Sequence, residues 1–193
     1  MAPGSRKDVR GRLQQAALEL FQQRGYDAVT SAEIAAHAGV TERTFFRHFA
    51  DKREILFDED PRLRGALRAA VAEAPEALAP MEILLRAFAA LEAMLQENRT
   101  FTEPRLAIIA STPALLERAE AKSASIAALL AEALQQRGVE AKLATLAART
   151  GTAAFGYAAS AWREDPSLGL QVHLEQASRT LQGLSQASAR AAS

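Results

Sequence analysis

Apolar residues recur at helical spacing near the start of the chain: Val9, Leu13, Ala16, Ala17, Leu20 and Phe21 share one helix face, with Arg10, Arg12, Gln14 and Gln15 on the others. Gly25 is placed to cap that helix at its C-terminus. A second start follows at Thr30-Ser31-Ala32-Glu33. There the threonine hydroxyl can accept from the third helical N–H while Glu33 reaches back, which predicts a short helix over 31–38. After Ala38-Gly39-Val40, Thr41 offers another N-cap for a helix through Thr44, Phe45, Phe46, Arg47 and His48 to about Phe49. Gly39 suits the turn because positive φ is needed there, and because a side chain would crowd the second helix.

Beyond Asp51 the pattern predicts a longer helix starting at Lys52 and Arg53, its Ile55, Leu56 and Phe57 packing back, with a bend or break at Pro61. The segment through about Ala74 then links to amphipathic helices over 81–97, 102–110, 113–136, 140–163 and 167–187. Pro80, Pro104, Pro113, Gly138 and Pro166 supply the breaks between them. The ends, 1–6 and 188–193, are expected to fray.

Composition agrees with this pattern. Alanine and leucine dominate, glycine and proline are few, and β-branched runs of strand length are almost absent, so the fold class is all-α. The chain is neutral overall, but residues 1–53 carry nine Lys/Arg against six Asp/Glu, and the remainder carries the opposite excess. No cysteine is present, which excludes disulfides, thiolate zinc sites and cysteine nucleophiles and fits a reducing cytoplasm. No apolar run approaches the ~18–20 residues of a membrane span, so no membrane partner is expected. Only His37, His48 and His173 could serve as imidazole bases, and no carboxylate or glycine-rich constellation suggests catalysis; neither cofactor nor metal is expected.

The stretch TSAEIAAHAGVTERTFFRHFADK, residues 30–52, carries chemistry. With Ile34, Ala35, Ala38, Gly39, Val40, Thr41, Phe45, Phe46, His48, Phe49 and Lys52 in sequence, it resembles the helix-turn-helix of the TetR family of bacterial repressors, a likeness covering about residues 9–57. Phe46 stands where relatives usually carry tyrosine, which removes one possible phosphate hydrogen bond but leaves a ring that can meet a thymine methyl. The family's Lys and Leu are matched here by Lys52 and, one residue later than usual in spacing, by Ile55 or Leu56. The resemblance implies an N-terminal three-helix DNA-binding domain over 1–53 and a C-terminal helical domain over 54–193 that binds ligand and dimerises. The helix beginning at Thr41 would enter the major groove with Thr41, Glu42, Arg43 and Thr44 in its first turn. Arg43 can read guanine and Glu42 can accept from a cytosine amino group. Ser31, Arg47, His48 and Lys52 would grip phosphates.

For the C-terminal half the resemblance implies architecture more than chemistry. Residues 104–138 are similar to the mycofactocin-regulator-like subgroup, whose members respond to long-chain acyl-CoA. A homodimer through the last two helices is implied: Leu143, Leu146, Ala147, Thr150, Ala154, Tyr157, Ala158 and Ala161 form one stripe, and Leu170, Leu174, Ala177, Leu181 and Leu184 the next. A small apolar ligand would be lined by Leu84, Phe88, Leu91, Met94, Phe101, Ile108, Leu115, Ile126, Phe155 and Trp162, with Arg105 placed for an anionic head group. The expected activity is repression from a palindromic operator in double-stranded DNA, relieved by that ligand. The alternatives are induction by acyl-CoA and a ligand-independent architectural DNA binder, although the latter would call for more positive charge.

Overall fold

The computed structural model describes residues 6–57 and 62–191, and among these it contains ten α-helices and no strand. They are α1 (Arg6–Arg24), α2 (Ser31–His37), α3 (Glu42–His48), α4 (Arg62–Ala72), α5 (Pro80–Ala89), α6 (Glu92–Glu97), α7 (Arg99–Ser111), α8 (Pro113–Gln136), α9 (Ala141–Glu164) and α10 (Leu170–Ala191). None is long and apolar enough to cross a membrane. Pro61 and the extreme ends, 1–5 and 192–193, lie outside the described residues.

The chain forms two compact units, and their composition differs from a single cut near residue 54. The first unit combines the described N-terminal residues with 98–122; the second holds 62–97 and 123–191. Burial gives the reason. Ile108 and Ile109 of α7 and Leu115 of α8 sit in one core with Leu13, Phe21, Ile34, Phe45, Phe49 and Ile55, so α7 completes the N-terminal unit as a fourth packed layer. Helix periodicity alone does not say which core a helix serves.

The second unit is built on α5, α9 and α10, with α4 against α5. Leu84, Phe88, Leu91, Leu130, Leu134, Trp162, Leu170 and Leu174 form its interior. Two features fix the approach of α5 to α9. Phe88 and Phe155 stack with centroids 4.5 Å apart and planes 12° apart. At Gly151 a Cβ would lie 2.9 Å from Leu84 Cδ1, closer than carbon atoms pack, so the glycine is a notch into which Leu84 fits. On the surface of this unit Arg62 pairs with Glu97, Arg68 with Glu132, and Arg64 donates to Ser125, so these arginines are a solvated helix face tied to neighbouring helices.

Several expected elements are altered. The helix expected from Lys52 is replaced by a single 3-10 turn, Glu54–Leu56. Asp51 Oδ1 accepts from the backbone N–H groups of Arg53 at 2.7 Å and Glu54 at 3.1 Å, a side-chain turn that competes with continuous helix. The helix expected over 81–97 divides at Ala90-Leu91, where the Leu91 N–H bonds back only three residues, to the Phe88 carbonyl. Pro104 lies inside α7, where only the bond to the Thr100 carbonyl is lost, near a helix start. Helix α10 runs on to Ala191, past the limit of 187.

Candidate nucleic-acid interface

The first unit presents the helix-turn-helix that the local signals predict. Thr30 Oγ1 accepts from the Glu33 N–H at 3.2 Å while Glu33 Oε2 accepts from the Thr30 N–H at 2.8 Å, a complete capping box on α2. These bonds, with a salt bridge from Arg24 at 2.8 Å, hold the Glu33 carboxyl down at about 2; the Thr30 backbone bond is the largest cause. At the turn, Gly39 has φ +70, as expected. The expected crowding is absent: a Cβ there would meet only Arg12 Nη1 at 3.7 Å, an ordinary contact, so dihedral preference alone selects glycine. Thr41 then caps α3, its Oγ1 accepting from the Thr44 N–H at 3.3 Å and lying 3.0 Å from Thr44 Oγ1.

The two faces of α3 divide sharply. Phe45 and Phe49 are buried in the core of the unit and pack 5.6 Å apart. Thr41, Glu42, Arg43, Phe46 and Arg47 are exposed, and Thr44 is half-buried. Positions 42, 43, 46 and 47 share one side of the helix. That side therefore shows solvent a carboxylate, two guanidinium groups and a phenyl ring that is 50% exposed and packs edge-on against Phe45. An aromatic held outward beside two arginines matches base-edge reading, in which guanidinium addresses guanine and an apolar group addresses the thymine methyl.

The remaining DNA-contact candidates are placed differently. Ser31 is half-buried at the first position of α2. His48 ends α3 half-buried, with its Nε2 covered by protein. Lys52, expected on phosphate, turns inward: its Nζ donates to the carbonyls of Tyr26 and Val29, each at 2.8 Å, and stands 4.0 Å from the centre of the Tyr26 ring. Burial lowers the Lys52 ammonium below its ordinary pKa and pushes the Tyr26 phenol up to about 12. Arg10 and Arg12, read from the sequence as outer-face residues of α1, also bond to backbone carbonyls elsewhere in the unit, Arg12 from an exposed position. Arg10 Nη1 donates to the His48 carbonyl at 3.2 Å with its guanidinium 4.6 Å over the Phe49 ring, and Arg12 Nη1 donates to the Ala38 carbonyl at 3.1 Å. Their partners lie 26 to 38 residues away, and no local signal finds them.

Glu54 and Arg118 add a further tie within this unit. The carboxylate accepts twice from the guanidinium, at 2.6 and 2.9 Å, and these hydrogen bonds, with the guanidinium charge behind them, hold the Glu54 carboxyl below its usual range. This bidentate pair fastens the 3-10 turn after the helix-turn-helix to α8.

The ligand-lining candidates are divided between the two units. Phe101, Ile108 and Leu115 belong to the core of the first unit, and half-buried Arg105 lies with its guanidinium 5.9 Å from the Phe101 ring centre. Leu84, Phe88, Leu91, Ile126, Phe155 and Trp162 share the core of the second, while Met94 is half-buried on α6. The α9 stripe also separates. Ala147, Ala154 and Ala158 are buried in the chain's own core, whereas Leu143, Leu146 and Tyr157 are 50%, 65% and 65% exposed. On α10, Leu170, Leu174 and Ala177 are buried, Leu181 is half-buried, and Leu184 is 65% exposed.

Comparison with known proteins sharpens the picture of the first unit. Residues 13–58 match the family model described as bacterial regulatory proteins, tetR family. The chain is 37% identical over 83 residues to the HTH-type transcriptional regulator TcmR of Streptomyces glaucescens, a match covering 43% of this chain and 37% of that one. It is 39% identical over 59 residues to the uncharacterized HTH-type transcriptional regulator YvkB of Bacillus subtilis, covering 29% and 31%. The matches thus span about a third of the length of these curated relatives. Among solved structures, the fold is similar to Thermus thermophilus FadR, a TetR-family repressor in complex with lauroyl-CoA, at 27% identity and a TM-score of 0.58 over 90% of this chain and 93% of that one. It shares its fold with a SmeT–triclosan complex, at 20% identity and a TM-score of 0.58 over 88% and 89%; SmeT is the efflux-pump repressor of Stenotrophomonas maltophilia.

Proposed function

We propose, from the match of its helix-turn-helix to the TetR family of bacterial regulatory proteins, that this chain is a homodimeric repressor that leaves a palindromic operator when a small apolar ligand binds its second unit. One observation carries the reading: the first turn of α3 is exposed and rigidly capped, with Glu42, Arg43, Phe46 and Arg47 on the free side and Phe45 and Phe49 anchoring the other. Arg43 and Glu42 choose bases, Phe46 meets a thymine methyl, and Thr41, Thr44, Ser31, Arg47 and His48 set the register on phosphates.

The dimer is supported by the exposed row Leu143, Leu146 and Tyr157 on α9 with Leu184 on α10, large apolar side chains that a second copy would cover. Two recognition helices related by a twofold axis then fall about one DNA turn, ~34 Å, apart. The ligand acts by binding the DNA-incompetent arrangement more tightly, which is the thermodynamic requirement for release. An acyl-CoA inducer is the second reading, and what favours it is the likeness to FadR, whose structure holds lauroyl-CoA.

Selection of bound sequences from random duplexes, followed by footprinting, tests this function. One short palindromic site is expected, with Arg43→Ala relaxing preference at one base pair per half-site by roughly tenfold, the worth of a bidentate contact. Uniform coverage of any duplex would favour an architectural binder instead. Titrating acyl-CoA esters and uncharged aromatic compounds into the operator complex separates the two inducer classes.

A further inference from the structure

Taking as its basis the reading that this unit binds operator DNA, we infer that Lys52 is a positioning residue that holds the helix-turn-helix in shape from within and contributes no charge to the DNA backbone, while Arg10 and Arg12 tie backbone carbonyls of the same frame. Each of these cations closes a part of the chain that helix geometry leaves open. Carbonyls at helix C-termini lack intrahelical partners and carry the negative end of the dipole. Arg12 satisfies the carbonyl of Ala38 at the end of α2, and Arg10 satisfies that of His48 at the end of α3 while lying over Phe49. Lys52 ties the carbonyls of Tyr26 and Val29, the turn that delivers the chain to the Thr30 cap. All three therefore fix the frame in which α3 is presented.

The ammonium of Lys52 has two carbonyls at 2.8 Å and an aromatic face at 4.0 Å, so reaching a phosphate would break both bonds, taking the lysine from the Val29 carbonyl and leaving the Tyr26 carbonyl only its 3.4 Å bond from the Val29 N–H. Other basic residues of the unit are engaged as well: Arg24 with Glu33 and the Ala28 carbonyl, and Arg53 with Asp51. Arg43 and Arg47 remain on the exposed side of α3.

The full-length protein tests this directly through acylation of lysines by a water-soluble amine reagent, read by mass spectrometry with and without the selected duplex. Lys52 should label roughly tenfold or more slowly in the native protein than in urea, whether or not DNA is present, because its reaction requires local opening. Rapid native labelling overturns the inference, whether DNA suppresses it or leaves it unchanged. Salt dependence supplies a second test. Removing two phosphate-bound lysines from a dimer would lower the slope of log affinity against log salt by roughly 1.8. Lys52→Met is instead expected to keep the wild-type slope, to weaken operator binding by about tenfold at every salt concentration, and to be rescued by Lys52→Arg. Arg47→Met, the control, should lower the slope. A slope reduced in Lys52→Met to the same degree as in Arg47→Met overturns the inference. Absence of any sequence-selective binding by the wild type would instead sink the DNA-binding reading, while native labelling would still decide the role of Lys52.

Discussion

Exchanging glycine for alanine at two positions of the first unit should shift its stability in opposite directions. Gly39 has φ +70, and the nearest atom to an added Cβ is Arg12 Nη1 at 3.7 Å, so Gly39→Ala suffers only the left-handed conformation, about 1–2 kcal/mol. The reduced freedom of the unfolded chain returns about 0.4–1 kcal/mol, leaving a net loss of about 1 kcal/mol. Gly11 lies exposed within α1 with nothing within 4 Å of a Cβ, so Gly11→Ala should gain about 0.5–1 kcal/mol from helix propensity. Gly39→Asn should fall between wild type and Gly39→Ala, since asparagine enters the left-handed region more readily. Hydrogen exchange of the α2 and α3 amides is the appropriate assay, because the chain's one tryptophan, Trp162, lies in the second unit. A neutral or stabilising Gly39→Ala would refute the dihedral argument. A loss above about 3 kcal/mol would show that space, and not backbone conformation, governs the turn.

Acid should loosen α2. The Glu33 carboxyl is lowered from 4.5 to about 2 in the folded state, so its contribution is fully present above pH 4.5 and disappears as pH falls toward 2; Glu33→Gln should flatten that part of the amide-exchange pH profile. Glu54→Gln should destabilise the first unit by about 1 kcal/mol, the low end for a charge-assisted pair whose side chains stay about a third exposed, as read by urea unfolding of the same amides. Leu146→Asp combined with Tyr157→Asp should convert the protein to a monomer in sedimentation while keeping its far-ultraviolet dichroism; a persisting dimer would move the interface elsewhere.

What could be read in the sequence was whatever is written at short range. The Thr30–Glu33 box, the Thr41 cap and the positive φ of Gly39 are contacts within a few residues, and each is present as expected. The inward pair Phe45 and Phe49 follows from helix period alone. Lys52 is different: whether an ammonium meets a phosphate or two carbonyls 23 and 26 residues earlier depends on the folded path of the chain. The same holds for α7, whose apolar face is equally periodic whichever core it serves, and for the alanines of α9, which are small enough for either an internal or an intermolecular seam. Asp51 shows a local signal that could have been found. An aspartate two and three residues before free N–H groups favours a turn over continued helix.

The notch at Gly151 has a consequence for how such a protein can diversify. Because Leu84 occupies the place of a missing methyl group, a side chain at position 151 would first have to displace Leu84, and the stacked rings of Phe88 and Phe155 set the same approach of α5 to α9. Descendants of this chain are free to change the lining of their interior while that position stays glycine. Once it acquires a side chain, Leu84 must move out of the notch before any new taste for ligands can be explored.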